Sequence, residues 1–347
     1  MQLLALDSDF QPVAYLTYFN LQWTREYYSI GQFSVQVAAG EYSPDMAYLY
    51  TPDRAETGII QKVELTETVK GRFVQISGYF LEALLNDKVV YPTYYATGTI
   101  PASVVTMLRQ YKDDIPLMTV ADVPAAQDDG TAWQETGGKL ADVAYTKLQT
   151  VQHSLRCRYD YQANAITAEV WQGKNRTQDQ TENPFVTFSD GFGNLAEVDA
   201  SRDISNYRNY AIVCGQDQAE NRKVAYVDLS GGGYKQILYV DARSERWDPD
   251  KQTEAEYLAG LQQIGLDKLL DYTIIINVDI QAAASGFVYL QDWDLGDLVD
   301  VIVSDIGLTM QARIITVREV FKEGNHTIEI ELGDKKLTQL KKARLIY

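Results

Sequence analysis

Two stretches at opposite ends of the chain share one layout, and that layout narrows what the chain can become. Near the N-terminus, Gly58-Ile59-Ile60-Gln61-Lys62-Val63 leads through Gly71 into Val74-Gln75-Ile76-Ser77-Gly78. Near the C-terminus, Arg313-Ile314-Ile315-Thr316-Val317 leads through Gly324 into Ile328-Glu329-Ile330-Glu331-Leu332-Gly333. Each reads as a strand, a glycine turn and a period-two strand that stops at glycine, because side chains alternate between the two faces of a strand. Phe33, Val35 and Val37 alternate with Ser34 and Gln36 in the same way, Tyr48-Leu49-Tyr50 closes on the turn formers Thr51-Pro52-Asp53, and Lys70-Gly71 marks a further turn. Such a meander of short strands suits a small barrel or sandwich. Two readings of the repeat stay open: unrelated hairpins, or two related small β-barrels with other units inserted between them.

What lies between is mixed. Tyr79 to Leu85 reads as a short helix with Phe80, Leu81, Leu84 and Leu85 on its apolar side. Pro101 suits the first position of a helix carrying Val104, Val105 and Leu108 on one face. Residues 121–138, rich in Ala, Asp, Gly and Pro, read as an exposed loop. A helix follows through Leu140, Val143, Ala144, Leu148 and Val151, and then a hairpin of Leu155–Tyr161 and Ile166–Trp171 around Gln162-Ala163-Asn164. The order recurs: Asp248-Pro249 starts a helix burying Tyr257, Leu258, Leu261, Ile264 and Leu269, and a strand alternates through Ile274, Ile276, Val278 and Ile280. A β-rich connection, Phe185 to Val240, contains Gly231-Gly232-Gly233.

The fold class expected is therefore α+β and β-rich, with two related small β-barrel domains at the chain ends and inserted helix-plus-strand domains. Its 347 residues allow two or three units at roughly 150 residues each. The divisions expected are an N-terminal β-barrel ring domain over 1–95, a helix and hairpin domain over 96–182 and a β-rich connection over 183–245 that completes the barrel and inserted domains. A helix–strand unit over 246–285 and C-terminal barrel elements with a basic tail over 286–347 follow.

Charge and composition exclude several function classes. Lys+Arg 31 against Asp+Glu 48 leaves a net charge of −17, so the chain does not use its overall field to hold nucleic acid, which needs clustered Lys and Arg. Cys157 and Cys214 stand in no metal-type spacing and are expected to be free buried thiols. The N-terminus reaches Asp7 before a signal-type apolar run can form, and no stretch approaches the ~18–20 apolar residues of a membrane span. The chain is accordingly expected to stay soluble in the cytoplasm where it is made.

Catalytic constellations are sparse. The two histidines, His153 near a helix end and His326 just past a hairpin turn, read as solvated or capping residues. A Cys157–His153 dyad lacks an orienting third group, and Gly231-Gly232-Gly233-Tyr234-Lys235 lacks the spacing and hydroxyl of a phosphate loop. Asp241, Glu245, Asp248 and Asp250 miss the register of a calcium loop and read as an acidic rim. Acids are so abundant that some pair will always suit glycoside hydrolysis, so abundance carries no specificity. The 24 tyrosines, with pairs at Tyr27-Tyr28 and Tyr94-Tyr95, suit strands and core, partly wet subunit contacts, or sugar stacking. Neither catalytic nor metal nor cofactor-binding residues are expected.

The C-terminal run Asp294-Leu295-Gly296-Asp297-Leu298-Val299-Asp300-Val301, with Arg313 to Val317 and the hairpin closing at Gly333, resembles the terminal β-domain of phage tail hub proteins. Gly31-Gln32-Phe33, Gly58 to Ile60 and Gly78 to Leu85 are similar to the N-terminal part of the siphophage and prophage tail-hub group. Phe188-Ser189-Asp190-Gly191-Phe192-Gly193-Asn194-Leu195 and Tyr207-Arg208-Asn209-Tyr210 to Gly215 are similar to its link between inner domains. The resemblance spans essentially the whole chain. It implies Gly31, Gly58, Gly78, Asn194, Asn209, Gly215, Gly296, Asp297, Arg313 and Gly333 as structural signature positions. It further implies a homotrimeric, non-enzymatic hub, similar to the central hub of contractile-phage baseplates, that closes the distal end of the tail tube. The partners implied are further copies of itself, a distal tail or tail-tube protein and tape-measure or central spike proteins, with DNA passing through unbound and no membrane insertion. The location implied is the virion tail, after synthesis in the bacterial host cytoplasm. Because the chain stops at Tyr347, any lysin is expected on another polypeptide. The basic tail Lys335, Lys336, Lys341, Lys342 and Arg344 reads either as a contact for an acidic neighbour or as a solvated helix. The rival classes are a carboxylate-dependent glycoside hydrolase and a carbohydrate-binding tail-tip module.

Overall fold

β-Branched and aromatic residues at alternate positions turn the period-two runs into strands with one buried face. The computed structural model describes residues 1–69, 71–123, 133–216, 222–250, 253–282 and 286–333. In chain order the first strands are β1 (Leu3–Leu6), β2 (Pro12–Leu16), β3 (Tyr18–Glu26), β4 (Gln32–Ala38), β5 (Tyr48–Tyr50), β6 (Gly58–Thr68), β7 (Gly71–Phe80) and β8 (Tyr94–Ala96). Helix α1 (Ile100–Tyr111) and strands β9 (Met118–Val120) and β10 (Trp133–Glu135) come next. Helix α2 (Leu140–Gln149) precedes β11 (Ser154–Asp160), β12 (Ala165–Trp171), β13 (Thr187–Ser189) and β14 (Leu195–Asp203). Then come β15 (Tyr210–Cys214), β16 (Val224–Asp228), β17 (Ile237–Asp241), α3 (Glu254–Leu269), β18 (Ile275–Ala282), β19 (Leu298–Val303), β20 (Leu308–Lys322) and β21 (Asn325–Leu332).

Two units emerge, one of Met1–Val198 with Asp279–Leu332 and one centred on Asp199–Val278. In the first, strands from both chain ends enter one antiparallel sheet in the order β21-β20-β3-β4-β7-β6-β5-β1-β2. The closure is made by β3 and β20, whose pairing runs from Glu26 opposite Thr316 to Asn20 opposite Lys322. β20 also pairs with β19 through residues 308–313, and β13 adds to β19 in parallel. The inward residues Leu21, Trp23, Phe33, Val35, Val37, Val74 and Ile76 form the core of this sheet, and each such buried side chain contributes roughly 1.5–3 kcal/mol. A second core in the same unit joins α1, α2, β11 and β12 to Leu4, Leu6 and Phe10, with the Phe10 ring stacked 4.1 Å from Tyr48. In the second unit α3 packs through Tyr257, Leu261 and Leu269 on one face of the sheet β16-β15-β17.

The architecture is thus β-rich α+β built on a large antiparallel sheet, with both repeated hairpins, β6–β7 and β20–β21, in that sheet and β3 and β4 between them. Several local expectations need correction. The segment read as a helix from Tyr79 continues as strand to Phe80, whose N–H donates to Gly31 O at 3.0 Å, and then makes a 3₁₀ helix over Leu81–Asp87. Pro101 stands second in α1, behind Ile100, with Thr99 as the cap. The 121–138 segment is not all loop, since Trp133–Glu135 pairs with Tyr94–Ala96, while residues 124–132 lie outside the described residues. α3 starts at Glu254 instead of Asp248-Pro249, because Thr253 and Glu256 form a reciprocal capping box, Glu256 N–H to Thr253 Oγ1 at 3.3 Å and Thr253 N–H to Glu256 Oε2 at 2.8 Å. Lys70 and the basic tail from Lys335 to Arg344 also lie outside the described residues. Both cysteines are free and buried.

Candidate functional site: a buried polar seam between the chain ends

β3 places Leu21, Trp23 and Arg25 on one inward row, so alternation drives a guanidinium into the core at 2% exposure. A buried charge must be paired. Arg25 Nε donates to Glu56 Oε1 at 2.7 Å, and its NH1 donates to Tyr289 Oη at 2.7 Å and Asp294 Oδ1 at 2.5 Å. Burial alone would lower the Arg25 pKa, but Glu56, Tyr289 and Asp294 more than offset it and hold the guanidinium well above its ordinary value. β20 repeats the device: Val317 and Glu319 share its inward row, and Glu319 is wholly buried. Arg54 reaches it with two hydrogen bonds, and His326 Nε2 lies 2.9 Å from Glu319 Oε2. Burial would raise the Glu319 carboxyl; the Arg54 and His326 bonds outweigh it and hold the carboxyl below its usual range. Tyr289 serves both groups, its hydroxyl on Arg25 and its ring 5.4 Å from Arg54. These bonds tie β3 and the 50s loop to segments more than 260 positions later in the chain.

A neighbouring cluster collects three of the signature positions. Asp297 Oδ1 accepts the Lys174 N–H at 2.7 Å, and Oδ2 accepts Arg176 Nε at 2.6 Å and the Asp294 N–H at 3.1 Å. Burial raises the Asp297 carboxyl despite those donors. Arg313 donates to Gly296 O and, at 3.2 Å, to Gln152 Oε1, with its guanidinium 5.4 Å from the Tyr27 ring centre. Gly296 has φ +81°, and a Cβ there would stand 2.3 Å from the Tyr27 ring, so two constraints demand glycine. Elsewhere Gly31, Gly58 and Gly78 lie along the sheet, where a Cβ would strike Thr24 O and Phe80, the Phe33 ring and Ile59 O respectively. Asn194 accepts the Ser189 N–H at 2.9 Å and donates to Thr187 O at 2.8 Å. Asn209 and Gly215 belong to the second unit, Asn209 bridging Tyr234 O and the Gln236 N–H, Gly215 lying under Tyr257 and Leu261. Gly333 ends the C-terminal hairpin at φ +115°, with no described residue within 4 Å of where a Cβ would stand.

The Arg25, Glu56, Arg54, Glu319 and Tyr289 network was not anticipated. A charged residue continuing an apolar alternate row was its one sequence signal, at Arg25 and at Glu319; Glu56, in a loop, carried none. His326 is exposed, as expected, and in addition bonds Glu319 and stacks 4.1 Å from Phe321.

Chemistry at these groups is confined by their burial. Glu82 and Glu56 line a cavity of about 10 Å³, room for one water, which no sugar ring can enter. The Cys157 thiol is pushed up by burial, the reverse of what a nucleophile needs, and Cys157 N–H donates to Glu82 Oε1 at 2.7 Å. Among the described residues no cluster of His, Cys, Asp and Glu could hold a metal ion. Asp241 is engaged by Arg222 and Arg243, and Lys235, beyond the glycine run, pairs with Asp228 at 2.7 Å.

Burial, with the Glu56 charge adding to it, pushes the Glu82 carboxyl from its ordinary 4.5 to about 7. A folded-state value above the unfolded one means that stabilisation is complete below about 4.5 and is lost as pH rises through about 7. Between pH 5.5 and 8.5 Glu82 should therefore weaken the fold by roughly 2 kcal/mol. Urea midpoints at both pH values should converge for Glu82→Gln relative to the unmodified chain; an unchanged gap would contradict this assignment.

A protein-family model described as Siphovirus ReqiPepy6 Gp37-like protein matches residues 3–334. No curated protein matches the chain. Among solved structures, the prophage MuSo2 43 kDa tail protein from Shewanella oneidensis is 13% identical, with 96% of this chain and 98% of that one covered at TM-score 0.57. The tail protein from Neisseria meningitidis MC58 is 14% identical over 97% and 98% of the two chains, TM-score 0.56. Prophage tail protein gp18 from Listeria monocytogenes EGD-e is 14% identical over 99% of each, TM-score 0.55. At these identities the likeness is one of fold, and it extends over nearly the full length of all three.

Proposed function

The chain belongs to the Siphovirus ReqiPepy6 Gp37-like family, and from that membership we propose that it is a structural tail protein of a phage or prophage, a homotrimeric hub closing the distal end of the tail tube. The observation that carries the reading is the family match across residues 3–334; the full-length likeness to three tail proteins supports it. Residues 1–95 and the strands from 298 to 332 supply two related β modules per subunit, and three subunits set six such modules around a channel in a closed ring. The segments 96–182, 183–245 and 246–285 organise the distal side. Gly31, Gly58, Gly78 and Gly296 with the Asp297 and Arg313 bonds keep the β modules in shape, and the Asn194 and Asn209 bonds hold the segment between them.

The buried seam suits such a part. A ring wall that bears force during ejection needs its two chain ends held in one register, and paired charges in the core specify register where apolar contacts alone would tolerate slippage. The net charge of −17 suits it too: carboxylates along the channel would repel DNA and let it pass without binding. Tail-tube, tape-measure or spike proteins are the neighbours this position implies. Light scattering tests the assembly directly. Three chains of 39.1 kDa should give about 117 kDa, and a mass of 39.1 kDa at micromolar concentration would contradict the trimer.

A further inference from the structure

Among the described residues, the second unit leaves one face of its sheet uncovered. α3 covers the side bearing Ala211, Val213, Ala225, Val227 and Val240. The strand register places Tyr226, Ile212 and Tyr239 in one row on the opposite side, with Tyr210 and Ile237 side by side in the next. Tyr226 is 55%, Tyr239 57% and Ile237 52% exposed. At 150–250 Å² per aromatic side chain, these rings alone leave on the order of 200 Å² in solvent, and the aliphatic neighbours extend the patch. Large rigid rings at the centre and charge at the edge are the composition of a protein contact.

The rim identifies what fits. Lys235 pairs with Asp228 at 2.7 Å and sits 4.2 Å above the Tyr210 ring; Arg222 bonds Asp241 at 2.8 Å and Tyr239 Oη at 2.8 Å; Arg243 bonds Asp241 at 2.6 Å. Among the described residues of this rim three cations thus face two carboxylates, leaving one positive charge on a chain whose total is −17. Two copies meeting through average surface would repel, whereas this face meets acidic surface with attraction. A ring of three requires such a head-to-tail contact between two different patches. We infer that the open face of the β16-β15-β17 sheet is a subunit contact, seated against acidic surface of a second copy of this chain. The inference rests on the trimeric reading above and adds the surface that makes it.

The test uses the full chain. A photoreactive p-benzoylphenylalanine in place of Tyr226 should crosslink one copy to another, and the same group in place of Tyr95, 72% exposed in the first unit, should not. The double variant Tyr226→Glu with Tyr239→Glu should lose the species of about 117 kDa, at least tenfold in subunit affinity, while its far-UV circular dichroism stays that of the unmodified chain. An unmodified chain that forms trimers, with no crosslink at 226 and a trimeric double variant, would overturn the inference and leave the hub reading standing. Capture of neutral oligosaccharides by this face in such a trimer would assign it to a glycan and overturn it as well. An unmodified chain that never trimerises removes both.

Discussion

Replacing Arg25 with alanine should destabilise the first unit by about 3–5 kcal/mol, because it strands buried Glu56 and removes the donor shared by Tyr289 and Asp294. For a unit of this size that corresponds to a fall in melting temperature of roughly 6–20 °C. The loss comes mainly from the carboxylate left behind. Arg25→Met combined with Glu56→Leu should therefore recover much of it, since a hydrophobic pair of similar volume often matches a buried ion pair in stability. Calorimetry of the two single variants and the double variant separates the coupling from the packing. Additive losses would mean that the pair contributes nothing as a pair, and the seam would then be incidental to the closure of β3 on β20.

Gly78→Ala should be as damaging for a purely steric reason. β6 carries a register shift between Ile60 and Lys62, and the resulting kink brings Ile59 O over Gly78, where an added Cβ would stand 1.8 Å away. The obstacle is backbone on a strand paired on both sides, so β7 must leave its register with β4 and β6 to make room. A cost above about 4 kcal/mol, or loss of soluble protein, is expected. Gly40→Ala, with nothing within 4 Å, is the matched control and should stay within about 0.5 kcal/mol of the unmodified chain. Equal stability of the two variants would show that β6 and β7 do not pack as described.

What could be read from the sequence was local. The alternation of Phe33, Val35 and Val37 and the α2 stripe from Leu140 to Leu148 each leave a pattern within a dozen residues, and each stands in the structure with its expected face buried; the two hairpins form as well, although β6 leaves Val63 and Leu65 exposed. The pairing of β3 with β20 leaves no such pattern, because a strand's sequence specifies which face is buried and says little about which strand lies beside it. The same limit hid the seam. Arg25 and Glu319 break their apolar rows visibly, but their partners Glu56 and Arg54 sit in an unpatterned loop. At α3 the start read at Asp248-Pro249 gave way to Glu254, where Thr253 and Glu256 exchange the reciprocal hydrogen bonds of a capping box. Gly296, Asp297 and Arg313 entered as motif positions; that they meet Tyr27, Arg176 and Gln152 is a product of the tertiary fold.

The most direct trial of the hub reading is a cryo-electron microscopy reconstruction of the purified full-length chain. We expect a three-fold particle with an open central channel, its wall formed by the strands of residues 18–80 and 298–332 from every subunit. A particle without a three-fold axis, or one in which those strands lie away from any channel, would contradict it.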